Sequence, residues 1–240
     1  MTQGLHPLAA NMINQLNRVD VISNNLANAN TTGFKGDNLV EGSFNNYLDK
    51  AEKKGEKPLK LSEVMNTIPK IDGDFMDTQV GSITKTGNRL DFALNQKDVF
   101  FKVQNPNGNI EYTRDGRFKI LNGDLVTQNG YKVLNEQNQG IVVGEDDLFL
   151  DNIALVRSDF NNLDKIGNNN YKANDINQVQ NVDEPRNRML QGAIEQSNVN
   201  SIKSMVGLIE AQRKFEQAQK AMNGIDQINQ KVIDSIGNNR

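Results

Sequence analysis

From Leu5 to Ala29 the apolar residues recur at steps of three and four: Leu5, Leu8, Ala9, Met12, Ile13, Leu16, Val19, Ile22, Leu26 and Ala29. That spacing holds them on one helical face, close to the 3.5-residue repeat of a coiled-coil seam. Pro7 suits the first turn, where its missing N–H is not needed, and no other proline occurs before Pro58. The pattern predicts a helix of about 25 residues, some 37 Å long. The polar run Ser23-Asn24-Asn25-Leu26-Ala27-Asn28-Ala29-Asn30-Thr31-Thr32-Gly33 then removes helix propensity. Asn and Thr compete for backbone groups and Gly33 can take positive φ, so a chain reversal is expected there, with Gly33 as a helix cap or turn residue. Phe34 is expected to fold back onto the helix end.

A second seam lies at the other end. Leu208, Ala211, Phe215, Ala218, Met222, Ile225, Val232 and Ile236 alternate by three and four, interrupted only by Asn229. Ile202, Met205, Val206, Ile209 and Ile228 widen the stripe, so this helix should touch more than one partner. No proline occurs from Ala193 to Ile236, and a helix of about 44 residues would span about 66 Å, more than a compact domain buries.

Between the helices, over residues 79–157, the chain changes character. Short β-rich runs are Phe92–Leu94, Val99–Val103, Ile110–Thr113, Arg117–Leu121, Asp124–Val126, Tyr131–Leu134, Ile141–Val143, Leu148–Leu150 and Ile153–Val156. Asp115-Gly116, Asn122-Gly123 and Asn129-Gly130 separate several of them, and such pairs suit tight hairpin turns that need positive φ. The expected fold is α+β: an antiparallel β domain flanked by long N- and C-terminal helices that pair as a coiled-coil-like bundle. Its expected divisions are an N-terminal helix and turn (1–35), a connecting segment (36–78), a β-rich core (79–157), a return connection (158–192) and a C-terminal helix (193–240). The charged run Asp49–Pro58 is expected to be a solvated loop. Paired terminal helices with apolar edges left over predict polymerisation.

Composition narrows the function. Apolar residues are 36% of the chain, so part of its length is not compact core. A net charge of −3 gives no electrostatic case for nucleic acid. No apolar run reaches the roughly 18 residues of a membrane span, and the first residues lack a Sec-type signal. The absence of Cys removes disulfides and thiolate chemistry. His6 is the only histidine, and Asp72, Asp74 and Asp77 miss the spacing of a calcium loop, so no catalytic, metal or cofactor site is expected.

Three stretches carry a resemblance. Asn24–Lys35 resembles the N-terminal signature of bacterial flagellar rod and hook proteins. Tyr112-Thr113-Arg114-Asp115-Gly116-Arg117-Phe118 is similar to the core β motif of that family, and Gln196–Asn200 with Met205 and Ile209–Glu216 to its C-terminal signature. One departure is Asn95–Val99, where relatives usually have a Gly-rich step before paired Phe residues. The resemblance implies a rod subunit, the distal type slightly favoured over the proximal. Such a subunit polymerises into a tubular axial shaft around an export channel in the basal body, spanning the periplasm. Its partners would be copies of itself, other flagellar axial proteins and the flagellar type III export apparatus, with no small-molecule substrate and no membrane insertion. Its termini would order on assembly. Alternatives are a hook or other axial subunit, or a soluble assembly adaptor.

The implied assembly residues are Leu5, Leu8, Met12, Leu16, Val19, Ile22, Asn25, Leu26, Asn28, Gly33 and Phe34 at the N-terminus. At the C-terminus they are Asn198, Val199, Asn200, Leu208, Ala211, Phe215, Met222, Ile225, Val232 and Ile236. The core motif contributes Tyr112, Arg114, Asp115, Gly116 and Phe118.

Overall fold

The computed structural model describes residues 5–43, 69–144 and 147–237. The loop expected at 49–58 lies outside the described residues. The fold is α+β. The chain divides into two compact units, one from Met1–Ala27, Asp37–Phe75 and Asn200–Arg240, the other from Asn28–Gly36 and Met76–Val199.

The first unit holds helix α1 (Leu5–Ala27), helix α2 (Ser201–Gly237) and a two-stranded sheet of β1 (Asp37–Ser43) and β2 (Pro69–Met76). The two helices pack against each other. A Cβ on Gly207 would sit 3.3 Å from Ile22 Cδ1, so the Ile22 side chain packs onto the glycine. Ala218, further along α2, is also buried, at 4% exposure. The half-buried residues of α1 include Leu8, Met12, Val19, Ile22 and Leu26, and the position that completes their alternation of four and three is Gln15. Gln15 is 6% exposed, whereas Leu16, expected in the seam, is 47% exposed. The step from Met12 is three residues, not four, and a 3.5-residue repeat makes that choice only when a partner helix sets the phase. On α2 the expected seam is buried or half-buried from Leu208 to Val232.

α2 begins at Ser201 rather than Ala193. Residues 193–195 are taken by a strand, and Asn200 caps the helix, its Oδ1 accepting from Lys203 N at 3.0 Å. α2 has 37 residues, about 55 Å, against 23 in α1.

The second unit is built on antiparallel strands β3 (Ile83–Lys85), β4 (Phe92–Leu94), β5 (Val99–Gln104), β6 (Ile110–Thr113), β7 (Phe118–Leu121), β8 (Asp124–Thr127), β9 (Lys132–Val133), β10 (Leu155–Arg157), β11 (Leu163–Gly167), β12 (Asn170–Ala173), β13 (Gln180–Asn181), β14 (Met189–Gln191) and β15 (Ala193–Glu195). The main sheet runs β11-β12-β6-β5-β9-β8-β7, with β10 also on β5 and β13 on β10. β5 is its axis. One edge pairs with β6, and the other is shared by β10 (Leu155 opposite Phe101) and β9 (Val133 opposite Val103). Its alternation is buried on both faces: Val99, Phe101 and Val103 enter the larger core with Phe92 and Phe118, while Phe100 enters a smaller one with Tyr112 and Tyr171. β14 pairs with β4 and β15 with β3, returning the end of this unit to its start.

Three departures from the sequence pattern have local causes. Leu148–Leu150 lies in a 3-10 turn (Asp147–Asn152), where Phe149 and Leu150 are buried without strand pairing. Ile141–Val143 carries one isolated bridge, Val142 opposite Asp124. The stretch 158–192, expected as a connection, carries β11 to β14; its strands are rich in Asn and Lys because only some of their positions face the core.

Gly116 packs backbone to backbone. A Cβ there would come within 1.8 Å of Phe92 O, and Phe92 N donates to Gly116 O at 2.9 Å. Gly116→Ala is expected to cost roughly 3 kcal/mol or more, the upper range for one substitution, because the loop at 116 must move away from the β4 backbone at Phe92. Urea unfolding measures it, and a loss near zero contradicts this packing.

Candidate functional site

The three sequence motifs meet at one buried ion cluster in the second unit. Lys35 ends the N-terminal signature, Arg114 sits in the core β motif, and Glu195 immediately precedes the C-terminal signature. All three side chains are fully buried. Glu195 Oε1 accepts from Lys35 Nζ at 2.6 Å and from Gly81 N at 2.9 Å. Its Oε2 accepts from Arg114 Nε at 2.9 Å and Nη2 at 2.6 Å. Arg114 Nη1 donates to the carbonyls of Gln96, Lys97 and Val99 at 2.7–3.0 Å. Lys35 Nζ also donates to Gln79 O at 2.6 Å. One carboxylate thus serves two cations, and each charge is hydrogen-bonded, the condition on which buried ions are tolerated. Burial lowers the Lys35 pKa below its ordinary value, and the Arg114 charge adds to this; Glu195 and Asp77 oppose it.

Around the cluster the peptide groups from Thr32 to Gly36 are tied down. Asn169 Nδ2 donates to Thr32 O at 2.7 Å, and Gly33 N donates to Glu195 O at 2.8 Å. Asn198 N donates to Phe34 O at 3.4 Å, and Lys165 Nζ donates to Lys35 O at 2.6 Å. Gly36 N donates to Asn198 Oδ1, and Asp77 N to Gly36 O, each at 2.8 Å. The turn is buried, so these bonds stand in for the water its backbone would otherwise bind. Gly33 has φ +69°, and a Cβ on it would lie 2.5 Å from the carbonyl of Arg114. It therefore does not cap α1, which ends at Ala27. It lets the chain cross the Arg114–Asp115 peptide. Phe34 is buried, with Lys165 Nζ 4.7 Å from its ring centre in the same unit.

Several expected site residues therefore converge: Gly33, Phe34, Arg114 and Asn198, with Asp115 and Gly116 beside them. Tyr112 and Phe118 are core residues of this unit. Asn28 braces the turn by accepting from Thr31 Oγ1 at 3.2 Å. Val199 is half-buried. In the first unit, Asn25 and Asp37 bond reciprocally, Nδ2 to O at 2.6 Å and N to Oδ1 at 2.9 Å. The helical seam residues also belong to that unit, with Leu5 and Ile236 near the helix ends. Sequence reasoning missed Glu195, Lys165 and Asn169. Glu195 had one signal: a lone acid closing the short apolar run Ala193-Ile194. Among the described residues no group of three His, Cys, Asp or Glu side chains could hold a metal ion, and no helix is long and apolar enough to cross a membrane.

Fold and site together define an α+β protein whose N- and C-terminal motifs close onto one central β motif. Three family descriptions match in chain order: "Flagella basal body rod protein" over residues 10–35, "Flagellar hook protein FlgE/F/G D1 domain" over 96–161, and "Flagellar basal body rod FlgEFG protein C-terminal" over 190–235. The flagellar basal-body rod protein FlgF of Caulobacter vibrioides is 34% identical over 240 residues, covering 91% of each chain. FlgF of Rhizobium meliloti is 30% identical across 100% of both chains. FlgG of Borreliella burgdorferi is 33% identical, covering 94% of this chain and 96% of its own. The chain belongs to the flagellar basal-body rod protein family.

Two outcomes follow from the cluster. Glu195→Gln leaves two buried cations without a carboxylate and is expected to cost about 3–5 kcal/mol. Lys35→Met leaves a matched Glu195–Arg114 pair, with Gly81 N still bonded to Glu195 Oε1, and loses the bonds to Glu195 Oε1 and Gln79 O, about 1–3 kcal/mol. Equal losses in urea unfolding contradict the shared-carboxylate account. Asp115 provides a pH test. Burial raises its carboxyl pKa, assisted by the Asp91 charge and opposed by Arg117. A raised folded value favours the protonated form, so the contribution to stability is present below the unfolded pKa and is lost as pH rises through the folded one. Asp115→Asn is expected to be more stable than wild type at pH 7, with the gap closing below about pH 4. A gap that stays constant with pH refutes it.

Proposed function

We propose that this chain is a structural, non-catalytic subunit of the flagellar basal-body rod that polymerises into a tubular axial shaft around a central export channel. The observation that carries the reading is the apolar surface left on paired helices. α1 and α2 cover each other along one stripe only. Ile202, Met205, Val206 and Ile209 form a second stripe on α2 that is 50–74% exposed, and Ile13 on α1 is 57% exposed. α2 also outruns α1, and Ile228 and Ile233 in its distal part are 62% and 67% exposed. Exposed contiguous apolar faces of this kind are interaction surfaces.

In this reading α1 and α2 form a coiled-coil-like pair, and neighbouring copies cover the outer stripes with seam residues such as Phe215, Met222 and Ile225 held inside. The partners are further copies of the chain, other axial proteins and the type III export apparatus, and the location is the rod where it spans the periplasm. A distal position in the rod is the working assignment. The family membership, with relatives covered over nearly their whole length, supports the rod over an adaptor built from one matching segment.

Deleting the gene is expected to abolish hook and filament while leaving the inner-membrane ring, and labelled protein is expected to lie along the rod of purified basal bodies. A motile deletion strain contradicts the proposal. Ile209→Gln alters only the outer stripe. It is expected to change monomer stability by no more than about 0.5 kcal/mol yet to stop incorporation into rods. Normal incorporation means that stripe is not an interface.

A further inference from the structure

The cluster is assembled from residues far apart in the chain, and the order in which they appear has a consequence. Lys35 and Glu195 are separated by 160 residues, and Arg114 and Glu195 by 81. Both cations precede the carboxylate that neutralises them. Until β15 is in place, Lys35 and Arg114 would have to be buried together, like charges with no shared counter-ion, and burial of unpaired ions is strongly disfavoured. The backbone repeats the dependence. Gly33 N has Glu195 O as its acceptor, and Gly36 N has the side chain of Asn198. β15 in turn is held by β3, with Ile194 opposite Thr84. The last element of the unit is therefore the one that closes over its first.

We propose that Glu195 makes ordering of the N-terminal turn, residues 31–36, conditional on docking of strand β15, so that the turn stays unlocked until residues 193–198 are in place. Glu195 is a positioning residue for the turn. It acts through Lys35 and Arg114, and the separation in sequence makes the turn depend on a segment some 160 residues further along the chain. A subunit handled from its N-terminus onward would keep its signature turn open until residue 195 arrived. The inference concerns contacts within one unit and stands independently of the rod reading.

Amide-resolved hydrogen exchange on the full chain tests it, with readout at two amides whose acceptors lie outside 193–198. Phe34 N bonds to Thr31 O at 3.2 Å, and Asp77 N to Gly36 O at 2.8 Å. In Glu195→Gln these two amides are expected to lose nearly all their protection, while β5 amides keep the protection set by the variant's remaining global stability. Wild-type protection at Phe34 and Asp77 in the variant overturns the proposal, as does protection of these two amides equal to that of β5 in the variant, which means the turn opens only with the whole unit. Pulse labelling of refolding wild type decides the matter if the variant does not fold. The Phe34 and Asp77 amides are expected to gain protection in the same phase as β15. Protection of the turn in an earlier phase than β15 overturns the proposal.

Discussion

One carboxylate shared by two cations is the constraint around which the β unit is arranged. Glu195 is fully buried, and its four hydrogen bonds come from Lys35, Gly81 and Arg114. A buried ion group of this kind adds little net stability over a well-packed apolar alternative, but removing one member is costly. Its value lies in specificity. The bonds that Lys35, Arg114 and Glu195 make to one another bring the entering and leaving segments of the unit side by side. Gly33 and Gly81 make the approach possible. A Cβ on Gly81 would lie 1.9 Å from Gln196 O, and one on Gly33 2.5 Å from the Arg114 carbonyl.

The asparagines that crowd both signatures are the second layer of the same design. Asn198 bridges Gly36 N and Asp77 O, Asn25 closes a reciprocal pair with Asp37, Asn200 caps α2, and Asn169 holds Thr32 O. A carboxamide offers donor and acceptor from one uncharged group, so it can replace a strand neighbour where the backbone is turning. Polar composition in these stretches is therefore a mark of buried irregular backbone, and such backbone must find every partner inside the protein. In the helical unit the polar seam residue Gln15 does something different. It donates to Asn11 Oδ1 at 3.2 Å on its own helix, and at 6% exposure it sits among hydrophobic seam positions. A polar residue at such a position lowers stability and restricts the register in which helices pair.

The helices and the central hairpins were legible in the sequence because they obey short periods. α1 ends within two residues of its expected limit, and β4 to β8 match the apolar runs closely, since the hydrophobic pattern and the turn glycines both act locally. The edge strands β11 to β14 were not legible. Only some of their residues are buried, so Asn and Lys are tolerated and the alternation is diluted. The start of α2 was misjudged for a related reason: Ala193-Ile194 continues the helical composition, but β3 claims it by pairing.

By itself the sequence determined two seam-bearing helices, an antiparallel β middle and three family motifs in order, because periodicity and motif spacing are local quantities. Tertiary structure alone decided that Gln15 rather than Leu16 faces inward, because a 3.5-residue repeat has no phase until a partner helix supplies one. It alone decided that Gly33 serves a chain crossing instead of a helix cap, because the crossing partner is the distant Arg114 peptide. It alone united Lys35, Arg114 and Glu195, because charges spread along the chain carry no record of which pairs will be buried together. The Asn-rich turn after α1 is polar along the sequence and buried in the fold, and long-range hydrogen bonds reconcile the two.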